Sequence, residues 1–244
     1  MLPSSSRIAL VTGANKGIGL EIARQLGRSG AHVLLGARNV ALGEAAALLL
    51  KGEGLDVSFV HLDLGHANTL AAAAGMIASA HGRLDVLVNN AGIADQADGP
   101  PTKAAITAVR RIFDTNLFGT LEVTQAMVPL LMNSASGRIV NVSSGLGSLA
   151  LNADPESQFA SVRLTGYNAS KAALNMLTVQ LAAELGEAGI KVNAADPGYT
   201  ATDLNGHRGY QTVAEGAAAA VRLALLADDG PTGGFFNAVG PQPW

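Results

Sequence analysis

The sequence predicts an α/β fold, with a doubly wound, mostly parallel sheet of seven strands, helices on both faces and a single domain over residues 1–244. Short runs rich in β-branched residues alternate with Ala- and Leu-rich stretches of helical length along the whole chain. The short runs are almost continuously apolar, as in strands that are buried on both faces. The chain has no linker, internal repeat or change in composition that would divide its 244 residues.

The order of the elements follows from these runs. Strands are predicted over residues 7–12, 32–37, 57–62, 84–89, 138–142, 190–194 and 234–238. Helices are predicted over residues 17–29, 40–51, 67–80, 167–187 and 213–227, with two more within 102–133. In the first helix Ile18, Ile22 and Leu26 fall on one stripe, which is typical of a helix packed against a sheet. Alternating strands and helices imply right-handed crossovers and therefore a parallel sheet.

One segment, residues 145–166, departs from this alternation. It is turn-rich and mixes Leu146, Leu149 and Leu151 with charged residues such as Asp154. Loops of this length in compact domains are usually lids, binding loops or disordered segments. We expect a lid-like insertion with a dry inner face, and the alternative is a mobile surface excursion.

Composition excludes several classes of protein. The absence of cysteine excludes a disulfide framework, a Cys-ligated metal and a thiol nucleophile. The five histidines show no paired spacing, so we expect no metal. The formal net charge of −3, without a basic cluster, makes nucleic acid an unexpected partner. The longest uncharged run, 64–82, is too polar to cross a bilayer, and the first residues, MLPSSSRIALV, lack the pattern of a secretory signal. We expect a cytoplasmic protein with no membrane partner.

A glycine-rich turn follows the first predicted strand. Its residues are Thr12-Gly13-Ala14-Asn15-Lys16-Gly17-Ile18-Gly19. Glycines permit a tight turn and a close approach of backbone to a pyrophosphate, and the N-terminus of the next helix offers free N–H groups. The spacing is G-x-x-x-G-x-G, and a glycine-rich turn without a ligand is the alternative interpretation.

Further motifs follow this turn in a fixed order. They are Asn89-Asn90-Ala91-Gly92 after the fourth strand, Asn116 in the next helix, Asn141-Val142-Ser143-Ser144 at the end of the fifth strand, Tyr167-Asn168-Ala169-Ser170-Lys171, and Pro197-Gly198-Tyr199-Thr200-Ala201-Thr202 after the sixth strand. With the glycine turn they resemble the motifs of the classical short-chain dehydrogenase/reductase family, over essentially the whole chain. The opening TGANKGIG and the 22 residues between Ser144 and Tyr167 are most similar to the carbonyl reductase branch. The resemblance implies a Rossmann-like fold.

Tyr167 and Lys171 are candidate catalytic residues. Residues four apart in a helix lie on one face, so the two side chains point the same way. We expect the nearby ammonium to lower the pKa of the phenol and so make Tyr167 a general acid or base. The resemblance implies that Ser144 polarises a carbonyl, that Asn116 holds a water chain reaching Lys171, and that Lys171 also binds a ribose. The choice of Ser144 over Ser143 depends on the resemblance alone.

The tip of the second strand indicates the cofactor. Residues Gly36-Ala37-Arg38-Asn39 contain no carboxylate for a ribose 2′-hydroxyl, and Arg38 can instead bind a 2′-phosphate bidentately. Lys16 is expected to add a second positive charge, which predicts NADP(H). The cofactor-binding residues implied are Gly13, Asn15, Lys16, Gly17, Ile18, Gly19, Arg38, Asp63, Leu64, Asn90, Ala91, Gly92, Tyr167, Lys171, Pro197, Gly198, Thr200 and Thr202. The candidate substrate contacts are Ile93, Gly145, Leu146, Leu151 and Tyr199.

These observations predict an NADPH-dependent carbonyl reductase or secondary alcohol dehydrogenase acting on a small ketone, aldehyde or alcohol. The alternative is a non-catalytic NADP-binding sensor or scaffold. A SAM-dependent methyltransferase would share the glycine turn but not explain Tyr-x-x-x-Lys. A homo-oligomer, dimer or tetramer, is favoured over a monomer.

Overall fold

The computed structural model describes residues 6–244, and all seven of its named strands lie in one parallel sheet. The strands are β1 (Ile8–Val11), β2 (His32–Ala37), β3 (Val57–His61), β4 (Val86–Asn89), β5 (Arg138–Val142), β6 (Lys191–Ala195) and β7 (Phe235–Phe236), in the spatial order β3-β2-β1-β4-β5-β6-β7. The fold class is therefore confirmed. The expectation that the first residues form no secretory signal concerns residues 1–5 in part, and these lie outside the described residues.

Helices cover both faces of the sheet. They are α1 (Gly17–Arg28), α2 (Val40–Gly52), α3 (Ala67–His81), α4 (Ile106–Phe113), α5 (Thr120–Leu131), α6 (Leu149–Ala153), α7 (Thr165–Leu185) and α8 (Val213–Ala224). In β1, Ala9 and Val11 join the core beneath α1, α2 and α8, while Ile8 and Leu10 join the core beneath α3, α5 and α7. Successive side chains of a strand point to opposite faces, so a strand buried on both faces must be apolar throughout.

Two helical boundaries differ from expectation. The two helices expected within residues 102–133 are joined by a π-helical turn, Asp114–Gly119, so that α4 and α5 form one interrupted rod. Helix α7 begins at Thr165, two residues before the predicted start, because residues outside the helix bind its first N–H groups, as described below.

The predicted insertion is folded rather than extended. It contains a 3₁₀ turn, Gly145–Gly147, followed by α6, whose first turn is capped when Leu151 N–H donates to Ser148 Oγ at 3.1 Å. A Cβ at Gly145 would lie 2.4 Å from the ring of Phe159, so glycine allows this ring to pack there. Leu149 is 74% exposed, which contradicts the expected dry inner face at that position: it begins α6 pointing into solvent. A lid function stays a prediction.

Within residues 6–244, no helix is long and apolar enough to cross a bilayer. In the same part of the chain, no three His, Cys, Asp or Glu side chains cluster in a way that could hold a metal ion.

Candidate active site

The glycine turn lies at the carboxyl end of β1, where ligands bind in open α/β sheets. Gly13 and Gly17 have φ of +61° and +57°, a backbone region that glycine adopts without strain. A Cβ at Gly13 would lie 2.9 Å from the Cα of Ala91, so only glycine lets the two segments approach this closely. The turn therefore requires glycine for both conformation and space.

The Asn90-Ala91 segment is bonded directly to this turn. The Thr12 hydroxyl accepts the N–H groups of Asn90 and Ala91, both at 3.0 Å. The Asn90 amide donates to the carbonyl oxygens of Thr12 at 2.8 Å and Gly13 at 3.2 Å. The side-chain amide group of Asn90, predicted to contact a cofactor, thus holds the turn in place.

Helix α1 begins at Gly17, within the glycine turn itself. Its N-cap residue, Lys16, makes no side-chain capping bond, and the first amide that bonds back into the helix belongs to Leu20. The N–H groups of Gly17, Ile18 and Gly19 therefore precede the bonded ladder and form the kind of site that binds phosphate. These residues fit the pyrophosphate of a dinucleotide, together with the glycine cradle formed by Gly13.

Two cations were predicted to bind a 2′-phosphate, and the structure places them differently. Arg38 follows β2, is exposed, and its guanidinium has no ion-pair or hydrogen-bond partner among residues 6–244. Lys16 instead pairs with Asp203, with Nζ 2.6 Å from Oδ2, although both side chains are more than half exposed. Lys16 therefore has a carboxylate partner from a distant segment, and its contact with a 2′-phosphate stays a prediction.

A cleft opens beyond the carboxyl end of β3. It is lined by His61, Asp63, His66 and Asn68 among others. The Asp63 carboxylate accepts the N–H of Gly65 at 3.1 Å and lies 3.0 Å from Nδ1 of His66. Leu64 packs at Gly119 in the π-helical turn, where a Cβ would lie 2.7 Å from the Leu64 Cβ. The cleft adjoins the tip of β2, because His61 at its edge pairs with Ala37 in the sheet.

Tyr167 and Lys171 occupy one face of α7, as predicted. The Lys171 Nζ lies 5.7 Å from the centre of the Tyr167 ring and donates to the Val142 carbonyl oxygen at 2.8 Å. Lys171 is only 4% exposed, so this bond satisfies a buried ammonium in part. The pair therefore sits at the carboxyl end of β5, beside Ser144.

The two adjacent serines differ in their surroundings. The Ser143 hydroxyl is buried and donates to Oδ1 of Asn175 at 2.6 Å, which ties β5 to α7. Ser144 is partly exposed, accepts the N–H of Leu146 at 3.2 Å and faces the Tyr167 hydroxyl. Of the two, Ser144 is the one able to meet a ligand.

Asn116 lies in the π-helical turn and is 1% exposed. Its Oδ1 accepts the N–H of Ile93 at 2.8 Å, and its Nδ2 donates to the Ile93 carbonyl at 3.0 Å and to the Ser170 hydroxyl at 3.1 Å. A Cβ at Gly92 would lie 3.3 Å from Asn116 Oδ1 and 3.5 Å from Lys171 Nζ, so both atoms border the small space that this glycine leaves open. Local π-helical turns often occur at functional sites.

The ionisation of Tyr167 differs from the prediction. Burial raises the pKa of Tyr167 to about 12, and the charge of Asp196 acts in the same direction, while Ser144 acts in the opposite one. Burial also lowers the pKa of Lys171 to about 8. The expected lowering of the tyrosine pKa is therefore wrong for this structure, because burial disfavours the phenolate and only the hydrogen bond with Ser144 acts in the lowering direction.

The last motif forms the rim of the site. Gly198 has a φ of +68°, and Thr200 is buried with its hydroxyl donating to the Pro197 carbonyl at 2.9 Å. Thr202 reaches the glycine turn, where its Cγ2 would lie 3.7 Å from a Cβ at Gly17. Tyr199 is 45% exposed and meets Tyr210 edge-on, with ring centres 5.9 Å apart.

Sequence reasoning missed two residues at this site: Asp196, which lies beside the rim, and Phe159, which lies in the insertion. Asp196 is buried and accepts the N–H of Gly198 at 2.9 Å and the Gln242 amide at 3.1 Å. Its position directly before the Pro-Gly pair, at the end of a strand, was the available signal. Phe159, which packs at Gly145, carried no signal in the sequence.

The whole chain is similar to known proteins of one family. The family model described as short chain dehydrogenase matches residues 7–212. The chain is 38% identical to "Carbonyl reductase [NADPH] 1" of Sus scrofa, covering 97% of this chain and 93% of that protein. It is 36% identical to "(-)-isopiperitenone reductase" of Mentha piperita, covering 94% and 96%.

Solved structures of reductases superpose on nearly the whole chain. Salutaridine reductase from Papaver somniferum superposes with a TM-score of 0.82 at 32% identity, covering 94% of this chain and 99% of that one. The NADPH-bound carbonyl reductase from chicken fatty liver superposes with a TM-score of 0.83 at 28% identity, covering 98% and 99%.

Proposed function

The chain belongs to the short-chain dehydrogenase family, and we propose that it is an NADPH-dependent carbonyl reductase that acts on a ketone or aldehyde of low molecular weight. The observation that carries the proposal is the meeting of Ser144, Tyr167 and Lys171 at the carboxyl end of β5, across from the glycine turn. The similarity to NADPH carbonyl reductases supports the choice of reaction and cofactor.

NADP(H), when bound, supplies or accepts the hydride. The N–H groups of Gly17, Ile18 and Gly19 would hold its pyrophosphate, Arg38 its 2′-phosphate, and Lys171 a ribose hydroxyl. The cleft beside Asp63 would take the adenosine end.

Tyr167 and Ser144 would act on the carbonyl oxygen. Ser144 donates a hydrogen bond to that oxygen, and Tyr167 gives its proton to the alkoxide as it forms. A phenol whose pKa is raised to about 12 stays protonated at neutral pH, so it is in the donating form before each reduction. General acid catalysis of this kind contributes roughly 10²–10⁴-fold.

Lys171 and Asn116 would resupply the proton. Both border the space at Gly92, and the pKa of about 8 for Lys171 places its proton exchange close to neutral pH. Asn116 also fixes the backbone of Ile93, which keeps this space open on one side. A water held there would connect Lys171 to solvent.

The proposal is tested by following NADPH absorbance at 340 nm with a panel of ketones and aldehydes. We expect turnover with NADPH and a lower kcat/KM with NADH. Binding of NADPH without turnover on any carbonyl would instead favour the sensor or scaffold alternative.

Cofactor choice is tested separately with Arg38→Ala. A charge-assisted hydrogen bond contributes about 1.5–3 kcal/mol, so kcat/KM for NADPH should fall about ten- to a hundredfold while that for NADH hardly changes. Arg110→Ala, which removes an exposed arginine of α4, is the matched control and should change neither value. A wild type that prefers NADH, or equal losses for both cofactors in Arg38→Ala, would contradict the assignment.

We also propose a homo-oligomer, a dimer or a tetramer. Phe118 and Met176 are large apolar side chains that are 51% and 59% exposed, which is consistent with a surface covered by another copy. Light scattering at working concentration tests this, and a monomer mass would contradict it. The cytoplasmic location stays a prediction.

A further inference from the structure

Helix α7, which carries Tyr167 and Lys171, begins without a capping side chain of its own. The residue before it, Leu164, cannot accept a hydrogen bond through its side chain. The first intrahelical bond runs from Asn168 N–H to the Leu164 carbonyl at 2.8 Å. The N–H groups of Thr165, Gly166 and Tyr167 therefore need acceptors from outside the helix.

A distant segment, Asp98-Gly99, supplies acceptors for all three. Thr165 N–H donates to the Gly99 carbonyl at 2.9 Å. Gly166 N–H donates to Asp98 Oδ1 at 2.8 Å, and Tyr167 N–H donates to Asp98 Oδ2 at 2.9 Å. Each carboxylate oxygen thus binds one amide of the first helical turn, and one of these amides belongs to the candidate proton donor itself.

The Asp98 carboxylate is itself held in one orientation. Its Oδ1 also accepts the N–H of Gly99 at 2.8 Å, and its own N–H donates to the Asp95 carbonyl at 3.1 Å. Asp95 in turn pairs with Arg111 of α4, with 2.6 Å between Oδ2 and a guanidinium nitrogen. The loop therefore connects the start of α7 to α4.

The sequence of α7 allows this close approach. A Cβ at Gly166 would lie 2.9 Å from the Ile112 Cδ1 and 3.3 Å from Asp98 Oδ2. Glycine at this position lets the helix start pack against both α4 and the carboxylate. A negative charge at a helix N-terminus also interacts favourably with the helix dipole.

We propose that Asp98 is a positioning residue that fixes the backbone of Tyr167 and so sets the place from which its hydroxyl delivers the proton. Asp98 does not touch the carbonyl in this assignment; it acts through Tyr167. Small displacements of a catalytic group from its productive geometry lower the rate strongly. Tyr167 is the third residue of α7 and so lies in its first turn, and fraying of that turn would displace it. The inference rests on the proposed function of Tyr167.

The test compares Asp98→Ala, Asp98→Asn and a control, Thr212→Ala, in the full-length protein. Thr212 caps α8, accepting the N–H of Glu215 at 3.3 Å, and so represents the loss of a helix cap on an element that carries no candidate catalytic residue. Three quantities are measured: hydrogen exchange of amides 165–168, kcat with saturating carbonyl and NADPH, and the Kd of NADPH from fluorescence titration.

For Asp98→Ala we expect exchange at 165–168 to accelerate about two- to thirtyfold, the range typical of a lost N-cap. We expect kcat to fall tenfold or more, with the Kd of NADPH within twofold of wild type. Asp98→Asn keeps one acceptor oxygen and should restore part of kcat. Thr212→Ala should lower Tm by a similar amount to Asp98→Ala but leave kcat within twofold.

Several outcomes would overturn the inference. Unchanged exchange at 165–168 in Asp98→Ala would show that the carboxylate does not hold the helix start. Faster exchange with unchanged kcat would show that proton donation by Tyr167 does not depend on Asp98. An equal loss of kcat in Thr212→Ala would show that the loss in Asp98→Ala comes from lower overall stability. The exchange measurement needs no turnover, so a wild type inactive on carbonyls would refute the proposed function while exchange still reports whether Asp98 holds the helix start.

Discussion

Lys171→Met should change how the stability of the protein depends on pH. Burial lowers the pKa of Lys171 to about 8 from 10.5, because the 4% exposed ammonium is poorly solvated. Between these two values the folded protein carries a neutral amine while the unfolded chain still binds the proton. The unfolded state then binds more protons, so wild-type stability rises with pH, and this rise is absent from the methionine variant.

The magnitude follows from the size of the shift. Each pKa unit corresponds to about 1.4 kcal/mol, so between pH 7 and pH 10 the stability of wild type should rise by about 2–3 kcal/mol relative to that of Lys171→Met. The lost bond to the Val142 carbonyl lowers the variant's stability by an amount that does not depend on pH, and it cancels when differences are compared across pH. Tyr167, whose pKa is raised to about 12 from 10, opposes the trend from about pH 9 upwards, but it is present in both proteins and its contribution cancels in the comparison.

Urea unfolding followed by circular dichroism at pH 7, 8, 9 and 10 measures this difference. Lys103→Met is the matched control, because it removes an exposed lysine from a turn and should run parallel to wild type. The reasoning would be refuted if the unfolding free energies of wild type and Lys171→Met differed by the same amount at every pH. That result would mean that Lys171 is solvated as in the unfolded chain.

Three further changes give simple expectations. Tyr167→Phe removes one hydroxyl, so kcat should fall about 10²–10⁴-fold while the Kd of NADPH, measured by fluorescence, stays within twofold; near-normal kcat would refute the proton-donor role. Gly13→Ala places a methyl group 2.9 Å from the Ala91 Cα at a residue with positive φ, so NADPH binding should be lost. The control is Gly30→Ala, at a φ of +90° with no atom within 4 Å of the added methyl group. It should lower only the free energy of unfolding, by about 1–2 kcal/mol in denaturant unfolding. If both variants bind NADPH equally, the close approach at Gly13 is not required. Replacing residues 154–161 by a short glycine-rich linker should alter KM and substrate preference more than the Kd of NADPH, and the reverse result would remove the insertion from the substrate pocket.

The sheet and the glycine turn could be predicted because their signals are local. A strand buried on both faces must be apolar at successive residues, as Leu10 and Val11 are, and this is visible in a window of a few residues. The conformations of Gly13 and Gly17 likewise depend on neighbours in the turn. The prediction that Arg38 lacks a competing carboxylate at the tip of β2 was local as well.

The parts that could not be predicted depend on residues far apart in the chain. The direction of the Tyr167 pKa follows from burial and from Asp196, neither of which the Tyr-x-x-x-Lys spacing contains. Lys16 is engaged by Asp203, 187 positions away, and Asp98 reaches Tyr167 across 69 positions. Leu149 resembles a core residue in the sequence, yet it begins a five-residue helix that leaves it in solvent.

The strand order also has a consequence for the growing polypeptide. The half of the sheet that holds the glycine turn, β3-β2-β1-β4, uses only residues up to Asn89, whereas β5 begins at Arg138. During synthesis from the N-terminus, this half can pair while the later strands are still inside or near the ribosome. The edge of β4 then stays open until β5 arrives, and an open apolar strand edge is a template for wrong pairing with another chain. Slow translation between residues 90 and 137 would lengthen this exposure and lower the yield of folded protein.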